Sequence, residues 1–178
     1  GKFSDLVKNF RLIEIWNDVF MEFNKTPEGK YEKLTKPNVD TGMGLERTLA
    51  VMNGKETVFD TELFQPIFEK IKNVILTEME GSEKSDSSQN LSVFRGLEMT
   101  TENHKSLRII ADHIKTGVFM ISDGVAPTNV DRGYILRRLI RRAIRHGKLL
   151  GIENNFTKDI AEVVVGMYKD FYPEIEKN

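Results

Sequence analysis

Residues 131–148, DRGYILRRLIRRAIRHGK, restrict the fold more than any other stretch, because their charge allows a helix only one way to sit. Between positions 132 and 148 there are six arginines and one lysine, and no acid. At about 100° per residue, Leu136, Leu139, Ile140, Ala143 and Ile144 gather on one side of the wheel. Arg137, Arg138, Arg141, Arg142 and Arg145 gather on the other. The apolar side must dock on other elements and the guanidiniums must face outward. Like charges at these spacings repel by roughly a few tenths of a kcal/mol per pair, so something has to neutralise them. Two neutralisers are open: the chain's own acids, spread over residues 60–102 and 153–176, and phosphate, which guanidinium matches in bidentate fashion. The choice of arginine over lysine keeps phosphate in contention.

The rest of the C-terminal part is also helical by its spacing. Phe59, Leu63, Ile67, Ile71 and Ile75 recur every fourth residue, which predicts a helix capped by Asp60 and reaching about residue 77. Leu107, Ile110, Ala111, Ile114, Val118 and Ile121 mark another, ending at Asp123-Gly124. The arginine helix closes at Gly151, and a last helix carries Ile160, Val164, Met167, Tyr168 and Phe171 before Pro173. Residues 80–92, EGSEKSDSSQNLS, are too polar to offset their ordering entropy and predict a flexible insertion.

Residues 10–44 follow a different period. Ile13, Ile15, Val19, Met21 and Phe23 alternate with Glu14, Asp18 and Glu22, which predicts a strand. Because Trp16 and Phe20 load the second face as well, both faces are expected to be covered, or one to line a pocket. A turn is expected around Pro27–Gly29, then a short second run, Tyr31–Leu34, before Pro37. The fold class that results is α+β: short antiparallel strands, then a mainly helical domain.

The totals limit function by exclusion. In 178 residues, 26 basic side chains almost balance 27 acidic ones, so net charge alone names no nucleic-acid or membrane partner. The absence of cysteine removes disulfides and thiolate metal sites, and the three histidines are scattered. His113 and His146 read as structural residues of helices, His146 with a charge suited to the dipole of its last turn. No stretch approaches the ~20 apolar residues of a membrane span and the opening lacks a signal peptide's apolar run, so the expectation is a cytoplasmic protein.

PNVDTGMGLERTLAVMNG, residues 37–54, joins a glycine-bearing strand to a helix that carries Leu45, Leu49 and Met52 and stops near Asn53-Gly54. Glycine there signals either a tight turn or the close approach of another backbone or a ligand. With EIWNDVFMEFN, RIIADHIKTGVFMISDGVAPTN and the arginine helix, in this order, it resembles the alanyl-tRNA synthetases, a family of class II aminoacyl-tRNA synthetases.

That resemblance implies a division of labour. In the family the glycine strand floors the site where alanine and ATP become alanyl-adenylate, and Gly42 and Gly44 would let substrate lie on bare backbone. Arg47 matches the motif arginine beside ATP and is the candidate catalytic residue, stabilising charge on departing pyrophosphate. Asp40 matches the carboxylate that takes the ammonium of alanine, with Asn17 assisting. Asn129 matches the asparagine that reads a G·U pair in the acceptor stem of tRNA(Ala), while Arg132, Arg138, Arg142 and Arg145 would hold the RNA backbone. ATP would come with Mg2+ in the intact enzyme; zinc is not expected here.

The expected domains are 1–54, the end of the aminoacylation domain, and 55–178, the helical tRNA-recognition domain. The first two class II motifs are not found, which makes the chain a fragment by expectation and inactive alone, with uncovered sheet edges and faces as a consequence. Two other readings stay open: a stand-alone RNA-binding module, and a helical interaction domain whose arginines pair internally.

Overall fold

The computed structural model describes residues 4–5, 12–82 and 101–177. The chain divides into two compact units, Gly1–Thr61 and Glu62–Asn178.

In the first unit, Trp16–Lys25 (β1) and Tyr31–Met43 (β2) form an antiparallel ribbon. Its turn falls at Pro27–Gly29: Gly29 adopts φ +82°, which a side chain disfavours, and its N–H donates to the Thr26 carbonyl at 2.9 Å. The second strand does not stop at Leu34, as its sequence suggests, but runs on through Pro37 to Met43. The pairing explains how. Met21 faces Asn38 and Phe23 faces Lys33, so residues 34–37 bulge opposite a single residue. Pro37, with no N–H to give, sits in that bulge.

The expectation of covered faces is overturned. Trp16 is 58% exposed and Phe20 83%, and Val19, Val39 and Met43 are open as well. Among the described residues of this unit no third strand joins the two-stranded ribbon. After Gly44 the chain enters Leu45–Met52 (α1), which ends at Asn53 and Gly54 as its residues suggest. A tight turn, Val58–Asp60, closes the unit.

Among the described residues the second unit has four helices, Gln65–Ser82 (α2), Thr101–Ser122 (α3), Asp131–Leu149 (α4) and Thr157–Tyr168 (α5), and the short turn Pro173–Glu176. Asp60 does not cap α2. Its carboxylate accepts from the backbone N–H and hydroxyl of Thr57 (3.0 and 2.6 Å), and α2 begins five residues later, at Gln65. Pro66 decides this: a helix from Asp60 would carry proline in its interior and lose a hydrogen bond, whereas in the first turn no partner is missed. The polar run at 80–92 starts within α2, which continues to Ser82; residues 83–92 lie outside the described residues.

Ile67, Ile71, Ile110, Leu136, Ile160 and Val164 are buried and form the core. Each contributes about 1.5–3 kcal/mol by leaving water. Two contacts give the direction of the central helix pair. Gly117 of α3 lies 3.5 Å (from a Cβ built on it) from Leu136 of α4, and the Ser106 hydroxyl is 3.0 Å from His146 Nδ1. Later residues of α3 therefore meet earlier residues of α4, and the two are antiparallel. Lys115 is 8% exposed, its ammonium 4.8 Å from the Phe64 ring centre and 5.4 Å from that of Tyr168. Ring faces supply what water would have given the buried cation. Phe119 meets Tyr168 edge-on at 5.0 Å and extends this aromatic seam.

Candidate functional site

The ribbon gathers three candidate residues on one face. Asn17 pairs with Gly42 and Val19 with Asp40, and residues two apart share a side of a strand, so Asn17, Asp40 and Gly42 project together. Gly42 is explained by contact: a Cβ there would stand 2.9 Å from Asn17 Oδ1. The bare backbone leaves room for the Asn17 carboxamide, a reason for glycine that the sequence did not disclose. Asp40 is exposed, in mid-strand, with no ion pair among the described residues.

Gly44 ends the strand and opens α1, its N–H reaching the Ile15 carbonyl at 3.4 Å and its carbonyl accepting from Thr48 at 2.9 Å. Arg47, one turn along α1, donates through Nη1 to the Glu14 carbonyl. Its guanidinium is thereby tied back to the approach of β1 without using a carboxylate. The remaining N–H groups of Arg47 have no partner among the described residues. Ribbon, glycine and arginine form a wall that offers one carboxylate, one carboxamide and one guanidinium. Among the described residues no three His, Asp or Glu side chains converge to hold a metal ion.

The second unit carries the other set. Arg132, Arg137, Arg138, Arg141, Arg142 and Arg145 are all exposed, and none forms an ion pair with a carboxylate among the described residues. On the opposite side Gly133, Leu136, Ala143 and Gly147 are buried. Leu139 and Ile140 are half-buried, and Ile144, expected on the docked side, is 37% exposed at its margin. Tyr134 stands among the arginines, 51% exposed. Asn129, in the loop that enters α4, is exposed and makes no hydrogen bond to a described residue; the helix is capped from Val130 without any side chain.

Similarity to known proteins extends over both units. The family described as tRNA synthetases class II (A) matches residues 2–178. The chain belongs to the class II (A) tRNA synthetases. Alanine-tRNA ligase of Treponema pallidum (strain Nichols) is 42% identical over 169 residues, covering 94% of this chain and 25% of the relative. That of Lysinibacillus sphaericus (strain C3-41) is 45% identical over 168 residues, covering 94% of this chain and 18% of the relative. The same enzyme of Acetivibrio thermocellus is 44% identical over 165 residues, covering 93% and 17%. This synthetase segment thus spans 17 to 25% of the length of these relatives.

Within the synthetase segment, His146 shows what the arginine row does to its surroundings. Burial, then the charges of Arg142 and Arg145, then those of His113 and Lys105, hold its pKa below the usual histidine value of 6.5. The helix dipole, expected to favour the charged form, is outweighed. His146 Nδ1 is hydrogen-bonded to the Ser106 hydroxyl at 3.0 Å, and α3 and α4 are joined at that point. A histidine whose folded pKa is depressed favours the fold above its unfolded pKa, near 6.5. That contribution is lost as pH falls through the folded value. Thermal unfolding followed from pH 7.5 to 5 is therefore expected to lose stability more steeply in the native chain than in His146→Gln; parallel curves would contradict it.

Besides the Ser106 pairing, the sequence reading missed Lys115 as a core residue. Its signal was there: Lys115 shares a helix face with Ala111 and Val118, four residues before and three after. No helix among the described residues is long and apolar enough to cross a membrane.

Proposed function

We propose that this segment provides one wall of the site where a ligase joins alanine to ATP, together with the helical surface that grips the acceptor stem of tRNA(Ala). The observation that carries the reading is the row of six exposed arginines with no carboxylate partner among the described residues. Unpaired guanidiniums in a row call for an anion that repeats along a line, and a nucleic-acid backbone is one. Arg132, Arg138, Arg142 and Arg145 hold that backbone, and the Asn129 carboxamide, able to donate and accept at once, reads the G·U pair from the minor groove.

On the ribbon, Asp40 receives the ammonium of alanine, and Asn17 assists from the same face. Gly42 and Gly44 keep side chains out of the way, and Arg47 stabilises the charge moving onto pyrophosphate. ATP would come with Mg2+ in the intact enzyme, and zinc is not expected in this segment. Residues 1–54 then belong to the aminoacylation domain and 55–178 to tRNA recognition, in the cytoplasm where translation runs. The likeness to ligases covers both units, which speaks against a stand-alone RNA-binding module.

Titration of a labelled acceptor-stem hairpin with the 178-residue chain is expected to give an affinity that drops about 10²-fold as salt rises from about 50 to 200 mM. Absent or salt-insensitive binding overturns the reading. Asn129→Ala is expected to shrink the preference for G·U over G·C by roughly tenfold. In the longer ligase it should leave alanine activation unchanged, and equal loss in both steps would indicate a folding role. With one wall of the site alone, orientation of the reactants is lost, and that removes many orders of magnitude in rate. Alanine-dependent exchange of pyrophosphate into ATP by this chain would refute that.

A further inference from the structure

The loop that carries Asn129 is held by two residues that no part of the reading above employs. The Thr128 hydroxyl donates to the Val130 carbonyl at 2.8 Å and accepts from the Val130 N–H at 3.4 Å. One side chain thus closes a turn over residues 128–130, with Asn129 at its apex. The turn in turn rests on Gly133, in the first turn of α4. A Cβ on Gly133 would fall onto Thr128 Oγ1, lie 2.5 Å from the Ala126 carbonyl oxygen and 2.9 Å from the Thr128 nitrogen.

Glycine is a poor helix former, so helix propensity does not account for it at this place. Nor does left-handed backbone, because Gly133 is not among the residues with positive φ. What remains is the approach of the 126–128 backbone, at distances that no side chain permits. Asp131, between the turn and Gly133, does take a left-handed φ of 49°. Aspartate tolerates that region better than most residues, and there it bends the chain sharply from the apex into the helix.

We infer that Thr128 and Gly133 are positioning residues for base-pair recognition: together they clasp the loop so that the exposed Asn129 carboxamide meets the minor groove at a fixed place relative to the arginine row. This rests on the proposed role of Asn129. The clasp acts on geometry alone, so it governs which pair is preferred and leaves the ionic grip of the helix untouched. A carboxamide on a loose loop still binds, but its donor and acceptor no longer distinguish a wobble pair from a Watson-Crick pair.

The test compares hairpins with G·U and with G·C at the same position, titrated with the full 178-residue chain and with Thr128→Val, Thr128→Ser and Gly133→Ala, each checked for native helicity. Thr128→Val keeps the shape and removes the hydroxyl; it is expected to bring the affinity ratio close to one, while the dependence of affinity on salt stays as in the native chain. Thr128→Ser is expected to restore the ratio. Gly133→Ala is expected to behave like Thr128→Val. A ratio that survives Thr128→Val, or a Thr128→Ser variant as indiscriminate as Thr128→Val, overturns the inference and leaves the role of Asn129 standing. A native chain that binds both hairpins equally overturns the role of Asn129 and the clasp with it.

Discussion

Changing Arg138, Arg142 and Arg145 together to glutamine is expected to weaken hairpin binding by about 10²-fold near 0.15 M salt and to flatten the salt dependence of log K by about 2.7, since each phosphate contact contributes about 0.9. The three side chains lie on the exposed side of α4, away from the buried Leu136 and Ala143. Their replacement therefore removes charge without touching packing. It also relieves repulsion along the row, so the melting temperature of the free chain should stay level or rise. This opposition of effects separates RNA contact from internal pairing. Arginines bound to carboxylates would, on removal, lower stability and leave RNA binding unchanged. Anisotropy titrations at several salt concentrations, set beside melting curves, decide it.

The largest effect on stability is expected at the junction of α4 and α5. The ring of Phe156, which is 3% exposed, lies directly on Gly147 of α4, and a Cβ built on that glycine would overlap it. Gly147 also accepts from the N–H of Ile152, another buried residue, so the chain reverses tightly around this point. Phe156→Ala opens a cavity there and is expected to destabilise the helical unit by about 3–5 kcal/mol. Gly147→Ala forces the ring aside and is expected to destabilise it by about 1–3 kcal/mol. In the double variant the added methyl occupies part of the vacated space, so the combined loss should fall short of the sum. Urea denaturation of the three variants measures this, and strict additivity would mean that ring and glycine do not meet as described.

How much of this could be read from the residues differs between the two units. In the helical unit the apolar period is long and strong: α4 begins and ends close to where spacing and Gly151 put it and α3 ends at Asp123-Gly124, but α3 already runs from Thr101, six residues before Leu107, and α5 stops at Tyr168 and leaves Phe171 outside. The start of α2 was misread because apolar period alone does not register the cost of Pro66 inside a helix. In the ribbon, the alternation and the turn at Pro27–Gly29 were legible, while the bareness of its faces followed only from the resemblance and its missing motifs, against what the alternation suggested. Alternation records which side chains share a face. It contains nothing about what lies against that face.

The site residues divide in the same manner. Asn17, Asp40, Gly42 and Arg47 were singled out by resemblance, and the register of β1 with β2 brings the first three to one side. Thr128 and Gly133 escaped notice because their significance lies in distances across a turn, which no periodicity encodes. Lys115 escaped because a lysine on a core face looks like an error until the rings of Phe64 and Tyr168 are seen around it.

Arg132 to Arg145 lie on a single unbroken helix, anchored antiparallel on α3 at Ser106 and Gly117. That is about 20 Å of stiff rod with the Asn129 turn fixed at one tip. Such an object works as a caliper. If its cationic jaw seats on the phosphates, the tip can address only a base pair at a set number of steps along the stem, so moving the G·U pair by one step should be as damaging as abolishing it.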